Sequence, residues 1–141
     1  MATLEKSWTR PEAGHRKFIA TVLTHALSRQ LMRTNFEVVQ EGNIDLHNPD
    51  SDAPDVIIYD IRNNYTPVLM IELCTNATVE DTLRTVEIIR EIYFVNEAFV
   101  YNIDSEEWHA ITPGKLTFTS ISNQFKVELS ELLQHYLHRY I

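Results

Sequence analysis

Apolar residues Phe18, Ile19, Val22, Leu23, Ala26 and Leu27 recur three and four positions apart, the spacing of one helical face. They predict a helix that begins near Pro11-Glu12 and runs to about Leu31. Phe36 to Gln40 and Ile44 to Leu46 read as short strands joined by a tight turn at Glu41-Gly42-Asn43. His47 to Ala53 is polar, carries Pro49, and reads as loop. Val56 to Ile61 has almost no polar face and predicts a strand that ends in a turn at Asn63-Asn64. A second apolar strand follows from Val68 to Cys74. Thr78 followed by Asp81 resembles a capping box, and Leu83, Val86, Ile89 or Arg90, and Tyr93 then recur at helical spacing through about Asn96. Ala98 to Ile103, Trp108 to Ile111 and the residues around Leu116 to Phe118 read as strands, and Leu129 to Tyr140 as a final helix.

Two near-continuous apolar strands, a long helix and a third apolar strand imply an α/β fold, because strands without a polar face need cover on both sides. The length of 141 residues suits one domain spanning residues 1–141, and an apolar content of 44% is that of a globular chain. Twelve Lys plus Arg against twenty Asp plus Glu leave a net charge of −8, which opposes non-specific adhesion to a polyanion. A single cysteine excludes an intramolecular disulfide, and the six histidines show no zinc-site spacing. No run approaches the roughly 18–20 apolar residues of a membrane span, and Met1 to Arg16 lacks the apolar core of a signal peptide. A cytoplasmic location with no membrane contact is therefore the expectation. The apolar positions of the last helix suit packing on its own sheet or against a second subunit, so a homodimer is expected too.

The chemistry concentrates at residues 54–74. Alternation along the second strand places Val68, Met70, Glu72 and Cys74 on one face and Leu69, Ile71 and Leu73 on the other. A carboxylate in so apolar a strand is costly unless it is hydrogen-bonded, paired, protonated or bound to a cation. Asp55 opens the preceding strand. If the two strands are neighbours in register, Asp55 and Glu72 meet at one sheet end, where they can share a divalent ion.

Pro54-Asp55, Ile71-Glu72-Leu73-Cys74 and the element order together resemble the restriction-endonuclease-like superfamily, marked by a PD dipeptide followed by a (D/E)-x-K tripeptide. The stretch from Arg90-Glu91-Ile92-Tyr93 through Asn96 to Asp104 further resembles the helix-to-strand junction of bacterial Uma2-type endonuclease-like proteins. The resemblance covers roughly residues 11–111. It implies a three-layer core with a mixed central sheet flanked by helices, and a magnesium ion held by Asp55 and Glu72. It also implies nucleic acid as the partner and a catalytic set drawn from Asp55, Glu72, Glu12, Arg84 and Arg90. Glu12 would match an additional acid on the first helix, and Arg84 or Arg90 a basic residue moved onto the helix after the strand. Cys74 stands where the tripeptide has lysine.

Three readings follow. A diverged, non-catalytic or weakly active member of the fold is favoured by Cys74 and by the acidic charge. A magnesium-dependent endonuclease is favoured by the two carboxylates. In a structural or protein-binding domain, Asp55 would make turn hydrogen bonds and Glu72 would pair with Arg84 or Arg90.

Overall fold

The structure, a computed structural model, describes residues 12–139, without the side chains of residues 12 and 13. The described residues open with helix α1 (Glu12–Gln30), followed by strands β1 (Phe36–Gln40), β2 (Val56–Asp60) and β3 (Thr66–Cys74). Helix α2 (Val79–Tyr93) leads into β4 (Glu97–Asn102), β5 (Glu107–Thr112) and β6 (Lys115–Thr117). A short hairpin of β7 (Ile121–Ser122) and β8 (Val127–Glu128) precedes helix α3 (Leu129–Leu137). The first six strands form one sheet in sequence order. β3 and β4 pair in parallel across the α2 crossover, and every other neighbouring pair is antiparallel.

Period-two alternation divides the sheet between two apolar layers. Val56, Ile58, Leu69, Ile71, Leu73, Phe99 and Tyr101 pack with Ile19, Leu23 and Leu27 of α1 and Leu129 and Leu133 of α3. Ile57, Tyr59, Met70, Cys74, Ala98 and Val100 pack on the other face with Val86 and Ile89 of α2. This is the helix-covered mixed sheet that the apolar strands require, in three layers.

Several local expectations are corrected. Ile44 to Leu46 is not a strand, and β1 pairs with β2 instead. Ile44 is a buried anchor in the α2-side layer, its N–H donating to the Asp52 carbonyl at 2.8 Å, while Asn43 Nδ2 donates to the Ser51 carbonyl at 2.8 Å. The 41–55 segment thus closes on itself as a loop. β2 stops at Asp60, whose side chain caps a 3-10 turn over Ile61–Asn63. Thr78 makes no capping hydrogen bond; its hydroxyl accepts the Thr75 N–H at 3.1 Å instead. α2 ends at Tyr93 rather than Asn96, because Phe94 turns left-handed (φ 55°) and the Val95 N–H returns to the Arg90 carbonyl at 3.0 Å. α3 ends at Leu137, and Tyr140 lies outside the described residues.

A buried carboxylate fixes the β7–β8 hairpin, which the sequence pattern does not predict. Glu97, at the start of β4, accepts the Ser122 hydroxyl at 2.6 Å, the Asn123 N–H at 2.8 Å and Gln124 Nε2 at 3.4 Å. Three neutral donors satisfy an acid that is almost wholly buried.

Gly42 sits where the loop crosses β2. A Cβ built there would lie 2.7 Å from the Tyr59 hydroxyl and 3.0 Å from Val39 Cγ1. The Tyr59 ring cannot yield, since it is buried and its hydroxyl donates to the Asn43 carbonyl. Gly42→Ala should therefore destabilise the fold by about 1–3 kcal/mol, as overpacking does. Gly14, in α1 with nothing within 4 Å of its added carbon, should instead gain about 0.5 kcal/mol on change to Ala. Urea midpoints of the two variants measure the contrast.

Candidate functional site

The antiparallel register sets Val56 opposite Ile71, so the next pair outward is Asp55 and Glu72. The geometry agrees with it. The Asp55 N–H donates to Glu72 Oε1 at 2.8 Å, and the Leu73 N–H donates to Asp55 Oδ2 at 2.8 Å. The two acids predicted from the sequence are brought together at the sheet end where β2 begins and β3 finishes.

Their cationic partner is Arg16, which the sequence reading did not single out. Its Nε donates to both oxygens of Asp55 at 3.2 Å, its Nη2 to Oδ2 at 3.0 Å, and Nη2 lies 3.9 Å from Glu72 Oε2. α1 delivers this side chain. Arg16 continues, one turn toward the N-terminus, the stripe of Ile19, Ala20, Leu23 and Leu27 that packs on the sheet. A charged residue prolonging an apolar helical stripe was the available signal. Arg84 and Arg90 are engaged elsewhere. Arg84 makes an exposed contact of 3.8 Å with Asp81, too long and too wet to hold much energy. Arg90 is buried and donates from Nη1 to the Val95 carbonyl at 3.0 Å, bracing the end of α2. Glu12 lies in the first turn of α1, one turn before Arg16, and its side chain is outside the described residues.

The electrostatics follow from crowding two acids beside one base. Burial pushes the Glu72 carboxyl up to about 8, helped by the negative charge of Asp55 and by hydrogen bonding between the two carboxyl groups. The Asp55 N–H and Arg16 pull the other way without winning. Burial also opposes the charge on Arg16, but its hydrogen bond to Asp55 and the charges of Asp55 and Glu72 outweigh burial and hold it above its ordinary range. The site thus sets one guanidinium against two carboxyl groups, of which Glu72 is held well above its ordinary range. Cys74 is buried in the α2-side layer. Burial, together with the charges of Asp104 and Glu72, pushes its thiol up to about 11 against the pull of Arg16. It is a neutral core residue with no cation to offer.

These residues do not fit a resident divalent ion. Asp55 Oδ2 already accepts three N–H donors, Oδ1 faces the guanidinium, and Glu72 Oε1 holds a backbone N–H. Among the described residues no group of three or more His, Cys, Asp or Glu side chains is placed to hold a metal. An open cleft of about 250 Å³ beside the pair is lined by Arg16, Lys17, Glu41 and Asp55. No helix among the described residues is long and apolar enough to cross a membrane.

No protein-family model and no curated protein matches the sequence. Among solved structures, the chain is similar to a crystal structure from Anabaena variabilis described as "a putative nuclease belonging to DUF820". The TM-score is 0.62 at 9% identity, covering 86% of this chain and 81% of the other. At that identity the likeness is one of fold: an α/β architecture with a six-stranded mixed sheet and, among the described residues, three α-helices.

The raised Glu72 carboxyl carries a stability signature. Between the ordinary carboxyl range and about pH 8, the folded chain keeps a proton that the unfolded chain has released. The stabilisation is complete below the ordinary value and is lost as pH rises through about 8. Burial, Asp55 and Arg16 set this balance. Thermal melts of the wild type should therefore fall between about pH 5 and 8.5, while Glu72→Gln, permanently neutral, stays flatter across that window. Parallel curves for the two proteins would show that Glu72 is ionised throughout.

Proposed function

We propose that this chain is a diverged nuclease-fold protein that does not cleave phosphodiesters and acts through binding. The observation that carries the reading is the two-pronged seat of Arg16 on Asp55. The acid that would have to present open lone pairs to a reacting site is spent on an internal ion pair. Cys74 adds to this, because a buried neutral thiol supplies neither charge nor base where the resembling tripeptide has lysine. With a net charge of −8, contacts with other proteins suit the molecule better than non-specific adhesion to nucleic acid.

A second reading, a magnesium-dependent endonuclease acting on nucleic-acid phosphodiesters, draws on one observation. Asp55 and Glu72 lie side by side, and Asp55 borders an open cleft that also exposes Arg16 and Lys17. Both basic residues suit phosphate contact. Against it stand the occupied oxygens of Asp55.

Cleavage assays separate the two. Purified wild type, incubated with magnesium or manganese and single- or double-stranded DNA or RNA, should cleave no faster than Glu72→Gln. Cys74→Lys should restore nothing by itself, because Arg16 stays on Asp55. Metal-dependent cleavage by wild type, lost in Glu72→Gln, would establish the endonuclease instead.

A further inference from the structure

Asp55 immediately precedes β2, Glu72 lies in the adjacent β3, and the Asp55 N–H donates to the Glu72 carboxylate. Two partly buried carboxyl groups so placed need a compensating positive charge. In this chain a side chain provides it. The Arg16 guanidinium spans the pair, bonded to both oxygens of Asp55 and 3.9 Å from Glu72 Oε2. The neighbouring base, Lys17, is directed instead to Glu41, 3.9 Å away. Arg16 does not reach the pair from a loose loop. It projects from a helix whose next turns, at Ile19, Ala20 and Leu23, are buried against the sheet.

We infer that Arg16 is a resident counter-ion that keeps the Asp55–Glu72 pair closed to divalent cations, and that the pair is a latent divalent-cation site which loss of Arg16 opens. The inference rests on the reading of the pair as sealed. The guanidinium and a divalent ion compete for the same oxygens, and their charges repel. Without Arg16, both oxygens of Asp55 and Oε2 of Glu72 face the space it vacated. A hard divalent ion needs no more than one or two carboxylates, since it keeps several of its waters.

Manganese is the probe, titrated calorimetrically into the full chain as wild type, Arg16→Met, Arg16→Lys and Arg16→Met/Glu72→Gln. Arg16→Met should bind manganese at least about tenfold more tightly than wild type. Adding Glu72→Gln should abolish the gain. Arg16→Lys, which keeps the charge, should resemble wild type. If Arg16→Met is poorly folded without metal, manganese should raise its melting temperature and leave that of wild type unchanged. A folded Arg16→Met that binds no better than wild type overturns the inference, as does Glu72-dependent binding of equal strength in wild type. Cleavage assays of the same wild-type protein separate the two failures. A silent wild type whose Arg16→Met variant gains no binding removes the inference alone, whereas metal-dependent cleavage by wild type removes the reading beneath it.

Discussion

Bringing two carboxyl groups to the end of an apolar strand pair imposes one demand on the rest of the molecule: a positive charge must arrive there from another layer. Neither β2 nor β3 can supply it, since β2 is Val56-Ile57-Ile58-Tyr59-Asp60 and β3 ends Leu73-Cys74. It comes from α1. Burial of Ile19, Leu23 and Leu27 against the sheet fixes the helix, and the helix in turn sets Arg16 over Asp55. The ion pair and the packing of α1 therefore support each other. Removing the arginine would leave Asp55 buried and uncompensated, the costly half of any buried pair.

The start of β4, on the other side of β3, solves a similar problem differently. Glu97 is buried at the start of β4, opposite Leu69, where β3 is only beginning. It is satisfied by Ser122, the Asn123 N–H and Gln124, with no cation among these partners. Its role is to tie the β7–β8 hairpin to the sheet. At the Asp55 end, by contrast, two acids compete for one guanidinium, and burial and the charge of Asp55 push the Glu72 carboxyl up. Crowding of like charges, rather than burial alone, distinguishes the candidate site from a structural acid.

Much of this was legible in the sequence. Strand parity placed Val68, Met70 and Cys74 on one face and Leu69, Ile71 and Leu73 on the other, and the two apolar layers divide them the same way except for Val68, which packs with the α1-side layer. The adjacency of Asp55 and Glu72 followed from two apolar strands joined by a short turn. Arg16 was harder to find, because a helical wheel shows it as one polar residue beside an apolar stripe, and only the crossing of α1 over the sheet end brings it to Asp55. Arg84 and Arg90 were attractive by sequence distance, yet α2 faces the sheet with Val86 and Ile89 and turns those arginines to Asp81 and to its own C-terminus. Ile44 to Leu46 failed as a strand for a tertiary reason: Ile44 is buried in the α2-side layer, where it anchors a loop, and β1 pairs with β2.

The claim that the acidic pair is neutralised from within is tested most directly by a double-mutant cycle on Arg16 and Asp55. Unfolding free energies of wild type, Arg16→Met, Asp55→Asn and the double variant give the coupling energy of the two side chains. Arg16 is partly exposed, which screens the interaction, but the charged hydrogen bonds are two-pronged and Asp55 is buried. The account predicts a coupling of about 1–2 kcal/mol. The exposed Arg84–Asp81 pair of the same molecule serves as reference, at about 0.3–0.5 kcal/mol. An Arg16–Asp55 coupling no larger than that reference would contradict the account.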